Sequence, residues 1–362
     1  MEWGMMQNRL FTLCFNIILK TALAALLVTV LNRVMMPKYI NENEDGRVTA
    51  DYYRQELTPY IIFVGSSTVF SAVSPPILWE EKGYASYDRG NASQTIWTSY
   101  YMIEDALKDT KRPGFVVLDV GFIKYDDNFV EEPSNRKALD GMRLSATKYR
   151  AVEAAGGEDE RFIEYLFPVL RFHTRWKELT LEDFTYAFVS PMVDHAGYLI
   201  DYEVTKTVPD RRPGEYDTKT YEETRISPKN REYLIKIMEL CRDKGVGLML
   251  MKLPSLSDNW SLYYDEQVKK MAEPYGVSYI NFDTYSDEMG IDYALDSPDE
   301  GSHLNTPGAE KFSRYLAGYL SENYDIKTRK NDEAYIKVWG RIVEKYEADK
   351  KLKKDLINQE TQ

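Results

Sequence analysis

Two segments of the chain hold residue types that could together perform nucleophilic chemistry. Residues 60–70 read YIIFVGSSTVF, an apolar run that ends on Gly65, Ser66 and Ser67. Residues 296–312 read DSPDEGSHLNTPGAEKF and place His303 just before a helix-start pattern, with Asp299 and Glu300 close upstream. A serine hydroxyl is a weak nucleophile until a base takes its proton, and the usual base is an imidazole oriented by a carboxylate. Gly65 permits a tight turn and close backbone approach. A helix beginning after the turn aims backbone N–H groups at the site, where they favour a developing oxyanion. The sequence holds three histidines, His173, His195 and His303, so few residues compete for the role of base. His173 lies in FHTRW, where Phe172 and Trp176 read as the packed side of a helix whose polar face is wet. With Arg175, that histidine is also placed to bind an anionic or sugar group. His195, in DHAGY beside Gly197, reads as a loop histidine.

The elements that must position these residues alternate. YIIFV (60–64), YASYD (84–88), FVVLDV (115–120), GLMLMKL (247–253) and VSYINF (277–282) read as short buried strands. Between them lie helical patterns: one starting at Pro75 and Pro76, one over 95–109, one over 230–245 that stops at Gly245, and one over 265–276. Strands alternating with helices imply a parallel sheet with right-handed crossovers. In such a sheet ligands bind beyond the carboxyl ends of the strands. The turn after the first strand (Gly65, Ser66, Ser67), the turn after the second (Gly90, Asn91) and the loop carrying His303 all fall there. Residues 307–323 predict a further helix, with Pro307 at its first turn and Asn305 or Thr306 as its cap. The stretch 121–229 is too long for an ordinary crossover and reads as an inserted helical cap or lid.

Residues 10–31, LFTLCFNIILKTALAALLVTVL, are long enough for a bilayer core at 1.5 Å per residue. Lys20 near the middle costs roughly 2.5–3.5 kcal/mol on insertion scales, which the surrounding Leu, Ile, Phe and Val offset. The NRVMMPKY that follows lacks a small-x-small cleavage site, so an uncleaved single-pass anchor over 1–36 is expected rather than a signal peptide. Arg9 before the span and Arg33, Lys38 and Arg47 after it would, by the positive-inside rule alone, leave the bulk of the chain in the cytoplasm. A polar link is expected over 37–57, the globular domain over 58–326 and a charged helix over 327–362, docked by a stripe of Ile336, Trp339, Ile342, Val343 and Tyr346.

Net charge is −12, and the last 36 residues carry +3 of it, leaving −15 on the remainder. Nucleic-acid affinity needs clustered Lys and Arg, so a nucleic-acid partner is excluded. The two cysteines, Cys14 and Cys241, do not predict a disulfide, and no metal-ligand spacing surrounds either. No metal and no cofactor are expected.

The chain resembles the SGNH/GDSL hydrolase superfamily over about 58–325. That family's first block is Gly-Asp-Ser and its last is Asp-x-x-His; one branch carries Gly-Ser-Ser instead, and GSSTVFSAVSP (65–75) matches it. In that alignment Ser67 takes the nucleophile's place and Ser66 the aspartate's. NASQTI after Gly90 resembles the second block, whose glycine N–H serves the oxyanion hole. GSHLNTPGAEKF (301–312) resembles the His-Leu-Asn ending of the same branch. The third block, Gly-x-Asn-Asp, has no counterpart in LDVGFIKYDDN (118–128), and Asn91 is the nearest substitute. For the acid, Glu300 keeps the family's spacing with a longer arm and is slightly preferred; Asp299 keeps the residue type with one extra loop residue. The resemblance implies a three-layer, flavodoxin-like α/β fold on a five-stranded parallel sheet, with Ser67 as nucleophile, His303 as base, and the N–H groups of Ser67 and Gly90 with the Asn91 amide as oxyanion hole. Members of this branch resemble the anchored proteins of teichoic-acid D-alanylation and alginate O-acetylation. They imply an extracytoplasmic esterase or O-acyltransferase, or a non-catalytic binding module, working on a cell-envelope glycan beside a membrane-bound O-acyltransferase.

Overall fold

Five segments of four to six residues form five parallel strands, joined in sequence by helical crossovers. A computed structural model describes residues 2–108, 110–157, 160–192, 195–205, 207, 220–256 and 260–360. The strands are β1 (Ile61–Gly65), β2 (Ser86–Gly90), β3 (Phe115–Asp119), β4 (Gly247–Lys252) and β5 (Ser278–Asn281), in the spatial order β2-β1-β3-β4-β5. All four pairings are parallel. The helices are, in chain order, α1 (Glu2–Met35), α2 (Val48–Tyr52), α3 (Ser67–Ala72), α4 (Pro75–Lys82), α5 (Ile96–Ala106), α6 (Glu132–Leu139), α7 (Ala146–Ala155), α8 (Phe162–Leu166), α9 (Pro168–Phe172), α10 (Leu181–Thr185), α11 (Pro228–Lys244), α12 (Leu262–Ala272), α13 (Thr306–Asn323) and α14 (Glu333–Glu360).

The chain divides into two compact units, one of Asn41–Glu160 with Met192–Gln362 and one of Met1–Ile40 with Arg161–Pro191. In the first, alternate strand residues point to opposite faces of the sheet. Ile61, Phe63, Phe115, Val117, Met249 and Met251 meet Val69 and Ala72 of α3, Leu78 of α4 and Phe312 and Leu316 of α13 in one core. The alternate residues Ile62, Val64, Val116, Leu118 and Leu250 are equally buried, on the face covered by α5 and α11. Both faces are covered, as an all-parallel sheet requires, and the architecture is a three-layer α/β fold.

Several elements differ from the sequence reading. β2 starts two residues later than expected and runs through Arg89, which is fully buried. Its guanidinium lies 4.1 Å from the Tyr52 ring, donates to the Met102 carbonyl at 2.7 Å and faces Asp105 at 3.6 Å. The expected link over 37–57 is ordered from Asn41 on: a 3₁₀ turn over Asn41–Arg47 leads into α2. Val48 and Thr49 are fully buried there, and Tyr87 of β2 donates from its hydroxyl to the Val48 carbonyl at 2.9 Å. A segment polar in composition is thus held by the burial of Val48 and Thr49 and by the Asp45–Lys137 pair at 3.0 Å. The expected insert at 121–229 is split. Residues 121–160 and the described part of 192–229 belong to the sheet unit, where α7 packs on α5, while 161–191 cluster with α1. Residues 208–219 of that insert, residue 109 of the expected 95–109 helix and residues 361–362 of the tail lie outside the described residues.

α14 docks by the predicted stripe, although Ile336 at its start stays 46% exposed. Trp339 stacks on Trp79 of α4 with ring centroids 5.3 Å apart and planes 14° apart. Tyr346 is fully buried and donates to Glu310 of α13 at 3.0 Å. His195 pairs with Asp349 at 2.9 Å, which makes it a clasp for this helix. Trp339→Ala should lower the unfolding free energy by about 3–5 kcal/mol. Leu352→Ala, at an exposed position of the same helix, should stay within about 0.5 kcal/mol of wild type; denaturant midpoints of the full chain in detergent read both.

Candidate functional site

The site lies at the carboxyl ends of β1 and β3, where the chain leaves the sheet. β1 ends at Gly65, Ser66 caps α3 in an extended conformation, and Ser67 is the first helical residue. The first residues of a helix have N–H groups with no intrahelical acceptor, so the Ser67 N–H has none. This turn is close-packed. A Cβ on Gly65 would come within 2.8 Å of both Asp119 and Val69. A Cβ on Gly90, which pairs with Gly65 across the sheet, would come within 2.7 Å of the Ser66 carbonyl oxygen. Only hydrogen fits at these two positions, and that lets α3 start directly over the two strand ends.

The second half of the site is the loop before α13. Ser297 Oγ accepts from the backbone N–H of Gly301 at 2.8 Å and of Asp299 at 3.3 Å. Glu300 and Gly301 both adopt left-handed backbone, with φ of 59° and 89°. The resulting turn brings Asp299 back beneath His303. Asp299 Oδ1 accepts the His303 backbone N–H at 2.8 Å, and Asp299 Oδ2 lies 2.5 Å from His303 Nδ1. Below the histidine, Asn305 Oδ1 accepts from Gly308 N–H at 3.2 Å and caps α13, so the loop joins a long packed helix without slack.

These halves meet. Ser67 Oγ lies 2.7 Å from His303 Nε2. Burial disfavours the charged form of Asp299, but the hydrogen bond and charge of His303, with the backbone N–H of His303 and the Ser297 hydroxyl, outweigh it and hold its pKa below the ordinary carboxylate value. Asp299 is therefore an ionised acceptor, which places the imidazole proton on Nδ1 and leaves Nε2 as acceptor for the Ser67 hydroxyl. His303 and Asp299 keep 29% and 44% of their side chains open, so the relay is reachable from solvent.

Some expected site residues are placed otherwise. Glu300, slightly preferred as the acid, is exposed, and the carboxylate on Nδ1 is that of Asp299. The spacing of four is absorbed by the left-handed Glu300–Gly301 turn, which points the Glu300 side chain away from the ring. Asn91 does not face the open side of the relay. It is fully buried, donates from Nδ2 to Gln94 Oε1 at 2.6 Å and accepts from Thr49 Oγ1 at 3.4 Å. Its role here is to tie the turn after β2 to α2. Ser66 is buried and turned into a separate network: its hydroxyl meets Thr68 Oγ1 at 2.8 Å, and Thr68 donates to Asp119 Oδ2 at 3.0 Å. His173 donates from Nδ1 to the Leu170 carbonyl at 3.0 Å, on the exposed side of its turn. Among the described residues no cluster of His, Cys, Asp and Glu could hold a metal ion.

Asp119, with Thr68 and Ser297, escaped the sequence reading. Asp119 ends β3 and is buried; its Oδ1 accepts from the N–H groups of Leu253 at 3.2 Å and Gly121 at 3.3 Å. Burial raises its pKa, opposed by the charge of Lys252 and by these hydrogen bonds. It fastens the turns after β1, β3 and β4 to one another. The available signal was topological: β3 lies beside β1, so an acidic residue at its end must sit against the serine turn. No protein-family model matches the sequence, and no curated protein matches it.

If the relay turns over an ester, Asp299→Asn should lower that turnover by about two to four orders of magnitude, because the amide no longer fixes the tautomer with the proton on Nδ1. Glu300→Gln should change it less than about twofold. The sign of the pH effect on stability follows from the depressed pKa of Asp299. Its contribution is present above the unfolded value of about 3.9 and disappears as pH falls through the lower folded value. The difference in denaturation midpoint between wild type and Asp299→Asn should shrink as pH falls below about 4.

Proposed function

We propose that the chain is a membrane-anchored serine esterase or O-acyltransferase of the SGNH type that acts on ester groups of a cell-envelope glycan. The observation that carries this reading is the Ser67–His303–Asp299 relay, with 2.7 Å and 2.5 Å between successive side chains drawn from two ends of the globular unit. The family assignment rests on the GSSTVFSAVSP and GSHLNTPGAEKF segments. The envelope glycan, the outward-facing domain and a membrane-bound O-acyltransferase as partner follow from that resemblance. The anchor is supported by Arg9–Met35, a helix long and apolar enough to cross a membrane, whose most apolar stretch is exposed.

In the proposed reaction Ser67 Oγ attacks the ester carbonyl carbon while its proton passes to His303 Nε2. The oxyanion is held by the backbone N–H groups of Ser67 and Gly90. Collapse of the tetrahedral intermediate breaks the ester C–O bond, and the leaving alkoxide takes the proton from Nε2. The acyl-Ser67 is then attacked by water, giving a hydrolase, or by a sugar hydroxyl, giving a transferase, with Nε2 taking the attacking proton; the acyl–Oγ bond breaks and Nε2 returns that proton to Ser67. Asp299 stays ionised throughout and stabilises the imidazolium.

A fluorophosphonate probe should label the folded full chain at Ser67 and fail to label Ser67→Ala, with His303→Ala slowing labelling by at least about a hundredfold. Labelling that persists in Ser67→Ala contradicts the assignment. Absence of labelling in the folded wild type favours a binding module that keeps the fold without the reaction.

A further inference from the structure

The unit formed by α1 and residues 161–191 is built inside out relative to a water-soluble one. Several of its polar groups, Arg175 and Asp183 among them, are turned inward, onto the carboxyl end of α1. The Val169 N–H donates to Asn32 Oδ1 at 3.1 Å, and Arg175 Nη1 donates to the Met35 carbonyl at 2.5 Å. Arg175 also pairs with Asp183 at 2.9 Å, and Asp183 faces Lys38 at 3.7 Å. Lys38 Nζ in turn caps α1 by donating to the carbonyls of Arg33 at 2.7 Å and Val34 at 3.3 Å. Asp183 is buried. The large apolar side chains of the same segment point outward: Leu181 is 80% exposed, Val189 70%, Trp176 63%, Phe188 60%, Phe184 57% and Leu170 50%.

An exposed apolar side chain is ordinary when single, but six within about twenty residues, beside an inward-facing polar cluster, need an apolar surrounding. The neighbour supplies one. Arg9–Met35 spans 27 residues, about 40 Å of helix against a hydrocarbon core of about 30 Å. Its last turns therefore leave the hydrocarbon at the headgroup level. Asn32 and Met35, the contact points of α9 and the turn after it, are in those last turns. Short helices with an apolar outer face and an aromatic such as Trp176 are the residue types that settle at this boundary.

From this arrangement we infer that residues 161–191 form a membrane-surface element, whose outward apolar side chains enter the boundary between headgroups and acyl chains beside the end of α1. The inference rests on the reading of α1 as a membrane span. It gives the protein two attachments, a span and a flat foot, which together fix the tilt of α1. The foot's contacts run to lipid and require no second protein.

The test uses the full chain in phosphatidylcholine vesicles with no other protein. A nitroxide is attached to the native Cys14, which is exposed on α1 while Cys241 is buried. In the Cys14→Ser background it is attached instead to Leu181→Cys, Phe188→Cys or Leu352→Cys. Power-saturation electron paramagnetic resonance then compares collisions with oxygen, which concentrates in lipid, and with a water-soluble nickel chelate. The expected result is an oxygen-to-nickel ratio several-fold above that of Leu352→Cys at Cys14, Leu181→Cys and Phe188→Cys, greatest at Cys14. A lipid-like ratio at Cys14 with water-like ratios at Leu181→Cys and Phe188→Cys overturns the inference and leaves the span intact; the apolar face then belongs to a protein partner. A water-like ratio at Cys14 as well overturns the span and the foot together. A second readout avoids cysteine substitution: brominated phosphatidylcholine should quench a fluorescence component that Trp176→Phe removes, and no such component contradicts the inference.

Discussion

One contact ties the site together: the 2.7 Å approach of Ser67 Oγ to His303 Nε2, between residues 236 positions apart. It exists only because two independent turns end at the same place. The first is the exit of β1, compressed onto α3 by glycines at 65 and 90. The second is the loop before α13, bent by left-handed residues at 300 and 301 and stopped by the Asn305 cap. α3 and α13 belong to one apolar core on one face of the sheet. Displacement of either helix by an ångström would break a hydrogen bond of this length, so packing far from the serine sets the proton path.

The network beneath the serine serves the same end by different means. Asp119 is a buried carboxylate that takes its donors from the turns after β3 and β4 and, through Thr68, from the turn after β1. Removing an acceptor of this kind leaves two backbone N–H groups unsatisfied, at about 1–3 kcal/mol each. The serine turn is thus held from below by hydrogen bonds and from the side by glycine-limited contact. The relay above it remains open to solvent. A rigid support under an accessible hydroxyl is the arrangement that the proposed acyl transfer requires.

The parts of the fold visible in the sequence are those governed by local chemistry. IIFV, FVVL and LMLM are continuous apolar runs, as strands covered on both faces require. Pro307 after Asn305, and Gly245 after an amphipathic run, mark helix ends through their own backbone preferences. The serine turn and the late histidine were legible for the same reason. What escaped was decided by packing between distant segments. Arg89 looks like a loop residue until Tyr52, Met102 and Asp105 surround it. Residues 41–52 look like a linker until Val48 meets Tyr87. Asn91 is a plausible oxyanion donor by position, yet Gln94 and Thr49 occupy its amide. The choice between Asp299 and Glu300 turned on two φ angles that spacing alone does not encode.

The central claim is that Ser67 becomes acylated. The most direct measurement is mass spectrometry of the full chain, quenched in acid within seconds of mixing with an activated acetyl ester. The account predicts an acetyl mass increment on the peptide bearing Ser67, formed more slowly in Asp299→Asn and absent in Ser67→Ala. An unmodified Ser67 peptide while the ester is consumed, or the acetyl group on another residue, would contradict it.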